Sequence, residues 1–525
     1  MAQERYDAVV IGGGHNALAA AVHLSACGMS VFLAERADRL GGAAATAEVT
    51  VPGFRHDLFA MNLSLFAGSP FAAAYGERLA AHGLAYAPAH DCFASAFPDG
   101  RWLGVSNSLE ETAGRIAAFD EGDAARWRAM TAAFAEDAPA YFALLGAPMK
   151  PAALARLALR TVREKGWGFT REALRLLVSS PRDFLDSNFA SPHLKAALAP
   201  WAMHLDFPPD ASGGALFPYL ESMADQAFGM VIGKGGADVI PKALGGLLTE
   251  CGGTIRTGVA AERIEVTGGK ATAVRLSDGT RVEAREAVLA SVTPRAMLGL
   301  LDGTTGAPAA DAALAGFRHG PGTMMIHIAA NTLPDWRAGA ELQKFAYVHL
   351  APTLAHLSAT YAEAMEGLIP AAPAVVVGQP TAIDPGRAPE GKHVLWLQVR
   401  VVPSVIAGDA AGEIAPGTWD EVKERVADRV MKIVEAYAPG FGAEIIARTV
   451  LSPDDLMRAN PNLVGGDSLS GSHHLFQNFL FRPAPGLANY KMPVKGLHMI
   501  GASTWPGAGL GAGSGFLAAK QIARR

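Results

Sequence analysis

Residues 6–17 read Tyr6-Asp7-Ala8-Val9-Val10-Ile11-Gly12-Gly13-Gly14-His15-Asn16-Ala17. The first six form a mostly apolar run, the composition of a parallel strand covered on both faces. Gly12, Gly14 and Ala17 then fall in the spacing GxGxxA, a permitted form of the dinucleotide fingerprint. Gly12 permits a tight turn, Gly14 lets a pyrophosphate approach the backbone, and Ala17 lets the next helix pack closely on the strand. That helix is predicted from about Asn16 to Cys27, with Gly28 as its stop, and its N-terminus aims free N–H groups at phosphate. A second strand, Ser30 to Ala34, ends in Glu35, 23 residues after Gly12. An acid at that place accepts hydrogen bonds from a ribose diol. His15 and Asn16 lie inside the phosphate turn and join the candidate cofactor set, with a structural role as the alternative for His15. Strand, glycines, helix, second strand and acid in this order specify a nucleotide site far more strongly than a lone glycine motif.

Glu35-Arg36-Ala37-Asp38-Arg39-Leu40-Gly41-Gly42 follows directly. Here the sequence resembles the flavoprotein superfamily of amine oxidases and phytoene desaturases. It is most similar to the phytoene desaturase-like branch, through Gly41-Gly42-Ala43-Ala44-Ala45-Thr46 and Val51-Pro52-Gly53-Phe54-Arg55-His56-Asp57. The resemblance implies FAD, with the Gly41-Gly42 pair along its diphosphate and Arg36 and Ala43 beside it. Ala43 stands where many members carry arginine. In that family the residue at Val259 meets the adenine through its backbone; from the residues alone an ordinary core valine fits as well.

The other chain end carries a second glycine-rich element. Leu497-His498-Met499-Ile500 reads as a strand, then Gly501-Ala502, then Pro506 to Gly515 with five glycines among ten residues, then a helix from Phe516 to Arg524. The resemblance lays this loop along the ribityl chain and turns its backbone N–H groups toward the flavin pyrimidine. Such donors stabilise the charge of a reduced flavin. Gly501, Ala502, Gly509, Leu510 and Gly511 complete the candidate cofactor set, with Ala502 where many relatives have an acid.

The 525 residues are too many for one compact core and predict two packed domains. Half the residues are apolar and 18% charged, so a large core can be buried. A net charge of −5 argues against a nucleic-acid partner. Cys27, Cys92 and Cys251 form no CxxC pair, and no His/Cys cluster has metal spacing, so neither a dithiol relay nor a metal site is expected. No secretory signal and no apolar run of about 18 residues is present; a cytoplasmic protein, soluble or peripherally attached to a membrane, is expected.

The resemblance implies an α/β FAD-binding Rossmann-like domain joined to an α+β substrate domain, a mixed sheet roofed by helices. The first domain takes residues 1–69, 228–300 and 456–525; the second takes 70–227 and 301–455. Gly233-Lys234-Gly235-Gly236 precedes a predicted helix, Ala237 to Leu248, and lacks a following strand and acid, so it reads as a packing turn. Thr254 to Ala290 reads as antiparallel strands joined by turns at 267–270 and 277–280. Residues 70–227 look largely helical. In the second block Met324–Ala330, Ala374–Gly378 and Val394–Val402 read as strands, and Trp419 to Tyr437 as a long amphipathic helix. From Lys150 to Arg182 eight basic residues face only Glu164 and Glu172, with leucines, Trp167 and Phe169 between them. This suits a pair of basic helices on an anionic membrane surface; a solvated face or a subunit contact is the alternative.

Catalytic groups are harder to read. His473-His474 stands in a Gly/Ser-rich loop before the flavin-covering segment, where a histidine could move a proton. His56 and Asp57 could border the flavin. For each, a satisfied structural residue is the alternative. The favoured reaction is hydride removal from an apolar or partly apolar molecule, giving C=C or C=N. A flavin amine oxidase, a redox-neutral flavin isomerase and a non-catalytic FAD-containing interaction protein are the rivals. With one fingerprint filled by FAD and no dithiol, oxygen or a quinone is the expected electron acceptor.

Overall fold

Val9 and Val10 have no solvent exposure because their strand lies inside a seven-stranded sheet. In the computed structural model, which describes residues 4–523, strand β1 (Glu4–Ile11) pairs in parallel with β2 (Val31–Ala34) and with strand Arg281–Ala290. Helix α1 (His15–Ala26) joins β1 to β2 as the crossover. Beyond β2 lies Thr254–Arg256, also parallel. On the far side, Arg281–Ala290 pairs in parallel with Leu497–Met499 and antiparallel with Lys270–Leu276, which leads to Ala261–Thr267. The antiparallel reading of 254–290 therefore holds from Ala261 to Glu283; Ala287–Ala290 pairs in parallel on both sides, and Thr254–Arg256 extends the nucleotide sheet, reached through the helix Val239–Glu250. The last helix is Gly513–Ile522. Its expected end at Arg524, like Met1–Gln3, lies outside the described residues. This helix crosses α1 so closely that a Cβ on Gly515 would stand 1.7 Å from the Asn16 carbonyl oxygen.

The second sheet also has seven strands, ordered Ile445–Leu451, Gly322–Ala330, His393–Val402, Val375–Gly378, Tyr347–Leu350, Asp91–Ala96 and Trp102–Ser106. It is mixed because Tyr347–Leu350 runs parallel to Asp91–Ala96 while its other pairings are antiparallel. Strand His393–Val402 shows the period of two. Leu395, Leu397 and Val399 pack with Val422, Val426, Val430 and Val434 of the helix Trp419–Tyr437, in one buried cluster. That helix starts at a capping box, Thr418 with Glu421. Trp396, Gln398 and Arg400 alternate with the leucines and face the other way, toward the nucleotide half.

Two expectations for the block 70–227 need correction. It supplies two strands of the second sheet, Asp91–Ala96 and Trp102–Ser106, besides its helices. Cys92, Phe93 and Ala94 are all fully buried, and burial of both faces erases the alternation that would reveal a strand. The helix Pro70–Ala81 also belongs with the nucleotide half, since Phe71 and Leu79 pack into the core around α1. Gly233–Gly236 is indeed a turn, tied down by charge. Arg387 is fully buried and pairs with Asp57 and Asp384, and it donates to the Gly233 carbonyl. Asp384 accepts the Gly235 N–H at 2.6 Å and Asp57 accepts that of Ala237 at 2.7 Å. Asp57 thus clamps the two halves together and does not border the cofactor site; His56, fully buried, packs against His327.

Candidate active site

The nucleotide cradle is made of backbone. Glu35, at the end of β2, accepts the N–H groups of Gly13 and Ala37, the latter at 2.7 Å, so its carboxylate is fixed on the rim. Gly41 donates to the Gly13 carbonyl at 2.9 Å, which lays the Gly41-Gly42 segment beside the phosphate turn. Gly12 has φ +97°, a conformation that favours glycine. A Cβ on Gly14 would meet no protein atom within 4 Å. The space before Gly14 is open to a ligand, and the α1 N-terminus faces it. These residues fit the adenosine and pyrophosphate of FAD.

The second glycine-rich element is a loop held from behind. Arg482, fully buried, donates to the Ala502 carbonyl at 2.7 Å and to the Ser472 carbonyl at 2.8 Å. Ser514 Oγ accepts the Gly501 N–H at 2.9 Å. His473 accepts the Ala508 N–H on Nε2 at 3.0 Å. Burial holds its imidazole well below the ordinary histidine range, hence neutral. His474 Nε2 donates to the Asp206 carbonyl at 2.6 Å.

One cavity of about 1200 Å³ joins this cradle to a cleft between the sheets. Small-molecule sites run to about 1000 Å³, so there is room for a cofactor and a second ligand. Gly12, Gly14, His15, Asn16, Glu35, Arg36, Gly42, Ala43, Gly501, Ala502, Gly509, Leu510 and Gly511 line it. Three residues of the expected set stand behind the wall. Ala17 packs in the core, Gly41 shapes the turn, and Val259 donates its N–H to the Glu35 carbonyl at 3.0 Å, leaving Ala260 and Ala261 on the wall. His15, which lies 3.0 Å from Asn16 Nδ2, is pushed down to about 4 by burial. Neither His473 nor His474 lines the cavity.

The cleft end is side-chain chemistry. Trp396, Gln398 and Arg400 stand on one strand, with Tyr347 two strands away and Trp201 and His204 above them. Opposite, Glu221 and Asp225 project from one face of the helix Leu216–Phe228. Burial pushes Glu221 up to about 7. Asp225 is raised well above the carboxylate range, first by burial and then by the neighbouring Glu221. Burial pulls the Arg400 guanidinium down to about 10. Sequence reading missed all of these. The alternation of Trp396, Gln398 and Arg400 with leucine and valine was the available signal, and so was the i, i+4 spacing of the two acids on an apolar helix.

The profile of the family "Flavin containing amine oxidoreductase" matches residues 18–523. A rat protein, pyridine nucleotide-disulfide oxidoreductase domain-containing protein 2, is 28% identical over 99% of this chain and 93% of its own length. The phytoene dehydrogenase of Streptomyces griseus is 27% identical over 98% of this chain and 94% of its own. Among solved structures, an oxidoreductase from Methanosarcina mazei superposes with a TM-score of 0.62 at 16% identity, over 99% of this chain and 100% of that one.

Proposed function

Because the chain belongs to the flavin containing amine oxidoreductase family and is an FAD-dependent oxidoreductase, we propose that its cleft takes an apolar or partly apolar organic molecule and removes a hydride from it, giving a new double bond. The observation that carries this is the single cavity running from the Glu35 rim to the Trp396 face. Bound FAD supplies the hydride acceptor. The chain's own part is to exclude water, orient the substrate and take a proton. Loss of a hydride from one carbon and a proton from its neighbour leaves the C=C bond. Glu221 lines the cleft and, titrating near 7, is matched to the proton acceptor's task. His473 positions the flavin-covering loop. The name of the Streptomyces relative favours a long isoprenoid among apolar substrates. The nucleotide half and the substrate half divide as the two sheets do, and no second fingerprint is at hand for a nicotinamide nucleotide, so oxygen or a quinone reoxidises the flavin.

The cleft's mouth supports a peripheral membrane reading. Leu65, Phe142 and Phe228 line the cavity and are 51%, 43% and 68% exposed. Beside Phe142 runs the helical segment Pro151–Val178, broken at Gly166 (φ +83°), with Leu159, Trp167, Leu174 and Val178 exposed among arginines. No helix among the described residues is long and apolar enough to cross a membrane.

Anaerobic mixing with carotenoid precursors, amines and alcohols, followed at the flavin absorbance, tests the reaction. Saturable bleaching by an apolar alkene, slowed about 10²–10⁴-fold in Glu221→Gln, is the expected result. Bleaching by amines alone makes the protein an amine oxidase, and conversion without net bleaching makes it an isomerase.

A further inference from the structure

Four buried or half-buried arginines can be compared. Arg387 pairs with Asp57 and Asp384, and Arg429 with Asp409. Arg482 has no carboxylate but gives its N–H groups to the carbonyls of Gly471, Ser472 and Ala502. Arg400 has neither solution. It makes no ion pair among the described residues, donates only to the His204 carbonyl at 3.2 Å, and leaves Nε without an acceptor. The one carboxylate that acts on it from a distance, Asp467, is itself taken by His319 and the N–H groups of Gly320 and Gly471; a guanidinium held in a protein interior without a paired counter-charge is costly, and this one faces the cleft.

Two of its neighbours are donors in the same condition, while Gln398 Oε1 on the same strand is an unmatched acceptor. The indole N–H groups of Trp396 and Trp201 have no acceptor. Tyr347 packs beside them, its ring 5.7 Å from that of Trp396 and 6.4 Å from that of Trp201. Glu221 and Asp225 line the same cavity but form no ion pair with any described residue, so they leave the guanidinium unmatched. We propose that this donor wall holds the carboxylate of a substrate that is otherwise apolar, with Arg400 as its planar two-pronged partner. The inference rests on the reading of the cleft as a substrate site and narrows the substrate class: an apolar chain ending in an acid is preferred over a pure hydrocarbon.

The test is calorimetric titration of the FAD-loaded enzyme with monomeric oleate and with methyl oleate, so no turnover is needed. Wild type should bind oleate at least about tenfold tighter than the ester, the scale of a charged hydrogen bond. Arg400→Met should erase that preference with the ester affinity unchanged, and Arg400→Lys should restore part of it. If Arg400→Met loses FAD, Trp396→Phe carries the test, since it removes one donor at nearly constant shape and should weaken oleate selectively. Equal affinity of wild type for acid and ester, or unchanged oleate binding in Arg400→Met, overturns the proposal. Tight, Arg400-dependent oleate binding in an enzyme that no substrate bleaches would leave the anchor standing and defeat the hydride-removal reading instead.

Discussion

The two ends of the cavity solve different problems with different materials. The cradle end is backbone: glycines that leave space, N–H groups at a helix start, and one carboxylate fixed by Gly13 and Ala37. The cleft end is side chain: indoles, a guanidinium and two carboxyls, several with polar atoms unmatched. A backbone cradle is finished before any ligand arrives. A cleft with unmatched donors is finished only by its ligand. Substitutions in the two regions should therefore fail differently, and the difference can be measured.

The largest effect expected is loss of the cofactor, and two glycines separate its causes. At Gly14 a side chain points into open space, so Gly14→Val should retain no FAD and melt at the temperature of the wild-type apo-protein. At Gly515 a Cβ meets the Asn16 carbonyl oxygen at 1.7 Å. Gly515→Ala should push α1 and the last helix apart, lowering both stability, by about 1–3 kcal/mol or more, and FAD content. Normal FAD in Gly14→Val would break the assignment of the cradle.

Between the regions lies the Arg387 clamp. Arg387→Met strands Asp57 and Asp384 in the interior and should cost about 3–5 kcal/mol, read by denaturant unfolding of the apo-protein. A cost under about 1 kcal/mol would show that the halves are held by packing and not by this cluster.

The difference in materials also explains what could be read in advance. The cradle lies within residues 6–43, and turn, helix start and acid are local, so spacing alone reveals them. The cleft draws on residues near 201, 221, 347 and 398, brought together by a sheet whose strand order no local pattern specifies. Asp91–Ala96 escaped because both its faces are buried. His473 drew attention by its type, yet its ring serves a loop's N–H. Arg387 and Arg482 are invisible because a buried arginine looks like a surface one until its partners are known.

At the mouth, Arg156, Arg160 and Arg163 test the membrane reading. Each basic residue near an anionic surface is worth about 1 kcal/mol. Reversing all three to glutamate should weaken binding to vesicles containing phosphatidylserine by roughly a hundredfold or more, and salt should weaken the wild type. Equal sedimentation of both proteins would return this helix to an ordinary solvated face.

The smallest effect bears on whether the cleft is strained without its ligand. Glu221 titrates near 7 in the folded protein, against an ordinary 4.5. Between those values the unfolded chain has released its proton and the folded chain still holds it. The unfolded state then binds fewer protons, so stability falls as pH rises from about 4.5 to about 7. The most one such group can contribute is about 1.4 kcal/mol per pH unit, and partial access to the cavity reduces that. Glu221→Gln should flatten this part of the profile, measured by urea unfolding at fixed temperature. Asp225 is raised by the same burial and by Glu221 itself, so the double substitution Glu221→Gln/Asp225→Asn should flatten it further. An identical slope in wild type and both variants would mean that the two carboxyls are solvated through the open mouth, and the contrast between a finished cradle and an unfinished cleft would then rest on Arg400 and the two indoles.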